Sequence, residues 1–167
     1  MISWLLRGLV MGAFVTAAWI LVGVLMESSA TMGTTWRIIA LALIVLFALI
    51  WGGFDGIRDA RANPDPDDYA DLTMVWLKAG FLAAAIAVVV GWIVGTTLVA
   101  GMGPRPIFVS LTAGISFLTL LVYIPAFVGV SVGRWLVRRE QSKGAQTWDD
   151  EAEAVGEEAD YSAATAE

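Results

Sequence analysis

The sequence predicts an all-α membrane protein, a four-helix transmembrane bundle with both termini in the cytoplasm and a disordered acidic C-terminal tail. Of its 167 residues, 58% are hydrophobic and 16% are charged, whereas soluble domains have about 45–50% and about 25%. Four charge-free stretches follow one another, residues 8–26, 38–54, 79–104 and 106–133. Each is long enough to cross a bilayer once, which takes about 17–25 mainly apolar residues.

With the flanking residues that reach the headgroup layer, these stretches predict helices over residues 4–26, 36–62, 66–103 and 106–136. Together they form one transmembrane domain, residues 1–139. A secretory signal peptide is the alternative for the first stretch, because Arg7 precedes it and small residues follow it. The core of a signal peptide has about 7–15 residues, fewer than residues 8–26 contain, so we expect a retained helix.

The basic residues predict the orientation of the bundle. With four spans, one side of the membrane holds Arg7, Arg58, Arg61, Lys78, Arg134, Arg138, Arg139 and Lys143, and the other holds Arg37 and Arg105. An excess of lysine and arginine marks the cytoplasmic side. We therefore expect a multi-pass membrane protein, with the lipid bilayer around it and both termini in the cytoplasm.

The C-terminal segment, residues 140–167, differs in composition from the rest of the chain. It is rich in acids, alanine and glutamine, has a single basic residue, and shows no apolar periodicity. Such a segment cannot bury enough apolar surface to offset the entropy lost on ordering. It is predicted to be a disordered tail.

The connection between the second and third spans contains the clearest local signals. Asp55 and Arg58 are three residues apart and can pair on one helical face, which extends the second helix to about Ala62. Pro64 ends that helix and favours an extended conformation at Asn63.

A second helix start follows at once. Asp65 is the predicted N-cap and Pro66 the first helical residue, with Asp67 and Asp68 in the first turn. The alternative is a divalent-cation site built from these carboxylates. Their spacing matches no calcium loop and capping accounts for all of them, so neither a metal site nor a cofactor is expected.

This region also carries a resemblance. The runs WGGFDGIR (residues 51–58) and DARANPDPDDYADLTMVWLKAG (residues 59–80), with WLLRGLV near the start and VGRWLVRR at 132–139, resemble an actinobacterial family of four-span bacterial drug/metabolite transporters. The motif of the connection is carried by Trp51, Asp55, Gly56, Arg58, Asp59, Asn63, Pro64 and Asp65. The resemblance implies four membrane helices, a plasma-membrane location and a transport role.

Composition excludes several kinds of chemistry. The chain has no histidine and no cysteine, so no imidazole base and no thiolate nucleophile is available. Enzymatic activity is not expected, and neither is nucleic-acid binding, since the cytoplasmic acids repel phosphate. Small multidrug exporters use a glutamate inside the first helix, but here Glu27 lies at the outer end of that helix. Proton-coupled export of cations is therefore not expected.

Hydroxyl groups are the polar groups of the spans. Ser116, Thr119 and Tyr123 recur at helical spacing, and Pro125 follows as a possible kink, while Thr16 lies in the first span. They are candidates for a substrate path that hydrogen-bonds a neutral solute. The alternative is structural: hydroxyls bond to their own backbone or bridge helices, and a bridging bond adds about 0.6 kcal/mol.

Small residues four apart predict close helix packing. The pairs are Gly8 with Gly12, Gly91 with Gly95, and Gly129 with Gly133. Four helices enclose little space, so transport requires a homo-oligomer or larger assembly. The sequence therefore favours a transporter-like protein that moves or binds a small neutral or lipophilic molecule as an oligomer. The alternative is a non-transporting accessory or assembly subunit of a larger cell-envelope complex.

Overall fold

The computed structural model describes residues 3–28, 30–63, 65–97 and 107–164, and every regular element in these ranges is helical. The long helices are α1 (Ser3–Ser28), α2 (Gly33–Ala62), α3 (Leu72–Thr97) and α4 (Ile115–Ala164). Short elements are the 3₁₀ turns Ala30–Met32 and Pro66–Asp68, the helical turn Ile107–Val109 and the π-helical turn Ser110–Gly114. All four long helices are long and apolar enough to cross a membrane, so the predicted all-α, four-helix class is confirmed.

The outer surface of the bundle is apolar. Only 22–33% of the most apolar part of each helix is buried inside the bundle. Large side chains such as Leu6, Phe54, Phe81 and Phe117 are more than half exposed. A water-soluble bundle would place such side chains in its core and polar groups outside. This surface suits the hydrocarbon of a bilayer and gives the chain the form of a small multi-pass integral membrane protein.

The helices are arranged in a ring in the order α1, α3, α4, α2. The largest contacts join α1 with α3 and α2 with α4, and the contacts of α3 with α4 and of α1 with α2 close the ring. Because the helices alternate in direction, the two closest pairs are parallel. The centre is filled by the fully buried side chains of Met11, Val15, Ile44, Trp76 and Val122.

Glycines bring α2 and α4 into backbone contact. A Cβ added at Gly52 would lie 2.8 Å from Ala126 Cα, and one at Gly56 would lie 2.8 Å from Val130 Cα. Both distances are shorter than real Cβ contacts. The absence of side chains at these two positions therefore sets the distance between the helices, as small residues do in membrane bundles generally.

The second helix ends at Ala62, where the sequence predicts its end. Asn63 follows with φ −125° and ψ 96°, an extended conformation, and its N–H donates to the Asp59 carbonyl at 3.0 Å. The residue before a proline avoids the helical region because of the proline ring, which explains the position of the break.

The predicted start of the third helix at Pro66 is wrong. Pro66–Asp68 is an isolated 3₁₀ turn, in which the Asp67 N–H donates to Asp65 Oδ1 at 3.0 Å, and α3 begins at Leu72. Its N-cap is Asp71, whose Oδ1 accepts the Met74 N–H at 3.1 Å. Tertiary contacts explain the delay, because both backbone groups of the intervening Ala70 bond to side chains of other helices.

The last helix continues beyond the apolar part of the bundle, and its backbone is helical to Ala164. Alanine, glutamate and glutamine, which are strong helix formers, favour a helix in this segment. Residues 165–167 lie outside the described ranges, as do residues 98–106 at the predicted end of the third span.

Candidate functional site

Charged side chains meet at one end of the bundle, which we call the polar end. It contains the start of α1, the end of α2, the start of α3 and the part of α4 around Arg134. Arg7 contacts Asp55, and Arg134 contacts Asp59. The start of α1 and the end of the apolar part of α4 therefore lie at the same end of the bundle.

Asp55 links three helices at the polar end. Its Oδ2 accepts hydrogen bonds from Arg7 Nε at 2.7 Å and from Trp76 Nε1 at 3.1 Å. The Arg7 and Asp55 side chains are only 17% and 12% exposed. The sequence paired Asp55 with Arg58 instead, which is wrong: Arg58 is exposed. The fully buried Trp76 reaches from α3 to α2, where its ring also contacts Trp51.

Asp59, one turn further along α2, binds the other half of the bundle. Its Oδ2 accepts from Arg134 Nη2 at 2.5 Å, and its Oδ1 accepts from the Ala70 N–H at 3.2 Å and from Asn63 Nδ2 at 3.4 Å. Arg134 Nη2 also donates to the Ala70 carbonyl at 2.8 Å. Asp59 and Asn63, two residues of the resemblance motif, thus fasten the connection to α4.

Tyr69 contacts two arginines of α4. The Arg134 guanidinium lies 4.6 Å from the centre of its ring and the Arg138 guanidinium 5.0 Å. Arg138 Nε donates to the Tyr69 hydroxyl at 3.1 Å. We call these three side chains the Arg–Tyr–Arg stack. The sequence analysis did not foresee it, because residues 69 and 138 come together only when the connection packs on α4.

The acids of the connection serve as caps and ion-pair partners. The Asp65 side chain caps the 3₁₀ turn Pro66–Asp68, and the Asp71 side chain caps α3. Trp51 contacts Trp76 edge to face, and Gly56 packs on Val130. Within the described ranges, no group of three carboxylates is arranged to hold a metal ion.

The hydroxyls predicted to share a path are placed differently from one another. Ser116 is exposed, Tyr123 is half-buried, and Thr119 is buried. Thr16 is buried too, but its Oγ1 donates to the Gly12 carbonyl of its own helix at 2.7 Å. Thr119 is the exception, because its buried Oγ1 has no hydrogen-bond partner among the described residues.

Thr119 lies in the seam between α3 and α4. Gly80 of α3 faces it: a Cβ at Gly80 would be 3.2 Å from the Thr119 carbonyl oxygen and 3.8 Å from Tyr123 Cβ. The Tyr123 ring stacks on Phe127, with ring centres 6.0 Å apart. Pro125 is buried inside α4. Thr119 and Tyr123 line this seam, and the Thr119 atoms closest to Gly80 are its carbonyl oxygen and its Cγ2 methyl group.

The predicted glycine pairs also have different surroundings. Gly8 and Gly12 face α3, where an added Cβ would lie 3.2 Å from the Ala79 carbonyl and 3.3 Å from Ala83 Cα. Gly129 and Gly133 face the α2 backbone at Leu49 and Gly53. Among the described residues, no atom lies within 4 Å of a Cβ added at Gly91, so this position is not packed closely against another described helix. Gly95 is half-buried.

Some packing residues were missed by the sequence analysis. Gly52 and Gly56 are four apart, the same signal as the predicted pairs, and Gly80 has no such partner. The interhelical partners of Asp55 and Asp59 carry no sequence signal at all, since they lie 48 and 75 residues away.

Comparison with known proteins gives no assignment for the chain. No protein-family model matches it, and no curated protein matches it.

Proposed function

We propose that this protein is a transporter-like integral membrane protein that binds a small neutral or lipophilic molecule at the α3–α4 seam and moves it as an oligomer. The observation that carries the proposal is the unpaired hydroxyl of Thr119. A buried hydroxyl without a partner costs about 1–3 kcal/mol. A ligand oxygen that accepts its hydrogen bond would recover that free energy, which gives the seam a polar recognition point in an apolar wall.

The contrast with Thr16 sharpens this argument. Both threonines are 8% exposed, but Thr16 bonds to its own helix and Thr119 does not. Threonines in membrane helices commonly return their hydrogen bond to the preceding turn. An arrangement that leaves this donor unused is the exception and supports a binding role.

The seam has a route for a ligand from the lipid. At about 1.5 Å per residue, Thr119 is about 22 Å along α4 from Arg134, well within a hydrocarbon core of about 30 Å. The half-buried Tyr123 and the exposed Phe127 lie between that depth and the polar end. Pro125 has no N–H, so the Leu121 carbonyl lacks its helical donor, and α4 can bend at this turn.

The charges of the described spans favour a neutral ligand. Asp55 and Asp59 are both engaged by arginines at the polar end. An ion or proton path normally has a carboxylate at membrane depth. A cation would therefore meet no counter-charge at Thr119, whereas a neutral molecule needs only the hydroxyl and the aromatic rings. The resemblance to a transporter family also supports the proposal that the protein moves a small molecule.

The test compares two conservative variants, Thr119→Val and Thr16→Val. A panel of neutral drugs and metabolites is screened for a rise in the unfolding temperature of the purified protein, since a ligand at about 100 times its Kd stabilises by about 2.7 kcal/mol. For a hit, we expect Thr119→Val to weaken binding about tenfold, the loss of one hydrogen bond of about 1.4 kcal/mol. Thr16→Val should bind as the wild type does.

The same variants make a prediction about stability. Without ligand, Thr119→Val should be more stable than the wild type by about 1 kcal/mol, because it removes an unpaired buried hydroxyl. Vesicles that contain the wild type should transport the hit faster than vesicles that contain Thr119→Val. The proposal fails if no panel member binds saturably, or if both valine variants weaken binding equally.

One observation favours the alternative, an accessory subunit of a larger envelope complex. Gly91 faces open space on α3, and a small residue on an outward face lets another helix approach closely. Gly91→Leu should then release a foreign subunit that co-purifies stoichiometrically from the native membrane in mild detergent. Purification of a homo-oligomer alone, unchanged by this substitution, argues against the accessory role.

A further inference from the structure

Arg138 is held in place by Tyr69, and no carboxylate of the described residues pairs with it. Its Nε donates to the Tyr69 hydroxyl at 3.1 Å, and its guanidinium lies 5.0 Å from the centre of that ring. The Tyr69 ring also contacts Arg134, which is itself fixed by Asp59 and by the Ala70 carbonyl. The chain of contacts from Asp59 to Arg138 therefore orients an exposed guanidinium at the polar end.

The charges around the Arg–Tyr–Arg stack do not balance. Asp59 neutralises Arg134, but the described residues contain no carboxylate paired with Arg138, and its two Nη groups have no protein acceptor there. Arg139 adds a second cation on the same turn, above the exposed ring of Trp135 at 5.4 Å. Glu140 is exposed and pairs with neither. The exposed Asp67 and Asp68 lie beside Tyr69 in the connection, so the unpaired positive charge is confined to Arg138 and Arg139 on α4.

The depth of Arg138 matches the phosphate layer of a bilayer. Arg134 is the first charge after the apolar stretch of the last span, and Arg138 is one turn further, about 6 Å along the axis. Headgroup layers add about 5–7 Å on each side of the hydrocarbon core. Val132 and Leu136, exposed on the same segment, offer apolar surface to an acyl chain.

We propose that Arg138 binds the phosphate of an anionic phospholipid, with Tyr69 as the residue that positions it. A guanidinium whose Nε is occupied still presents two Nη donors, enough for a two-point contact with phosphate oxygens. The attraction of basic residues to an anionic membrane surface needs only charge. Attraction by charge alone does not need an aromatic ring that holds one arginine in a fixed orientation. The Tyr69 ring beside Arg138 is therefore the feature that points to a specific lipid site.

The test is native mass spectrometry of the full chain in detergent with added phosphatidylglycerol or phosphatidylcholine. We expect phosphatidylglycerol to bind at least tenfold more tightly. Arg138→Lys keeps the charge but loses the planar fork, and should weaken phosphatidylglycerol binding about tenfold. Tyr69→Leu leaves every charge in place and should have a similar effect. Arg58→Lys is the matched control, since Arg58 is also exposed at the polar end, and should change binding less than twofold.

Four results would overturn the proposal: equal binding of the two lipids, an unchanged Tyr69→Leu protein, an equal loss with Arg58→Lys, or displacement of the lipid by equimolar glycerol phosphate in solution. The last would indicate a site for a soluble anion. If Arg138→Lys or Tyr69→Leu fails to elute as a folded species, Tyr69→Phe replaces it. That variant keeps the ring, loses only the hydroxyl acceptor, and should weaken phosphatidylglycerol binding two- to threefold.

Discussion

The contact between α2 and α4 should tolerate no added methyl group at Gly56. An alanine Cβ there would lie 2.8 Å from Val130 Cα and 2.9 Å from its carbonyl carbon, and closer still to the carbonyl oxygen. Ordinary van der Waals contact begins near 3.4 Å. All three atoms belong to the backbone, so no side-chain rotation can relieve the overlap. The two helices must move apart along their whole glycine-lined contact.

The expected loss follows from two opposing terms. Overpacking of a close contact costs about 1–3 kcal/mol, and an overlap with backbone belongs at the upper end, about 3 kcal/mol. Replacing glycine by alanine inside a helix gains about 1 kcal/mol. Gly56→Ala should therefore destabilise the bundle by about 2 kcal/mol. Gly91→Ala is the control: no atom lies within 4 Å of its Cβ, so it keeps the gain of about 1 kcal/mol.

The assay is unfolding of the purified protein in mixed micelles with increasing sodium dodecyl sulfate, followed by tryptophan fluorescence. The free energies of the two variants should differ by about 3 kcal/mol, with the wild type between them. The reasoning about the α2–α4 contact is refuted if Gly56→Ala is as stable as the wild type. It is equally refuted if Gly91→Ala loses as much as Gly56→Ala.

Two further predictions concern the polar end, and both use Asp68→Ala, an exposed acid of the same connection, as control in the same assay. Asp59→Ala should destabilise the bundle by about 3 kcal/mol, because it leaves the partly buried Arg134 guanidinium without its carboxylate. A loss no larger than that of the control would show that the ion pair contributes little to stability. Asp71→Ala should cost about 1 kcal/mol, since Met74 N–H loses its cap, and an unchanged midpoint would place the start of α3 elsewhere.

The number of spans and the end of α2 at Ala62 were predictable from local signals. An apolar stretch either matches the thickness of the hydrocarbon core or it does not, and proline excludes the preceding residue from a helix whatever surrounds it. The start of α3 was not predictable in this way. Two competing caps, Asp65 and Asp71, precede it, and the choice between them depends on Asp59 and Arg134 binding the backbone of Ala70.

The candidate site was likewise predictable only in part. The sequence singled out Thr119 as one member of a hydroxyl group, and the burial of its oxygen without a partner emerged only from the packing of Gly80 against α4. Ser116, chosen by the same spacing, faces outward. Helical spacing shows that two residues share a face, but it does not show what that face meets.

By itself, the sequence determined that this is an all-α protein with four apolar helices, because the transfer of a whole segment into hydrocarbon depends on its composition and length alone. Only the tertiary structure decided which helices are neighbours, which carboxylate binds which arginine, and which hydroxyl stays unpaired. In a membrane, an apolar side chain gains little free energy by moving from the lipid into a contact between helices. Helix contacts therefore depend on close backbone approach and on a few hydrogen bonds and ion pairs. Several arrangements satisfy the same apolar pattern, and Gly52, Gly56, Gly129 and Gly133 select one of them only when α2 and α4 meet.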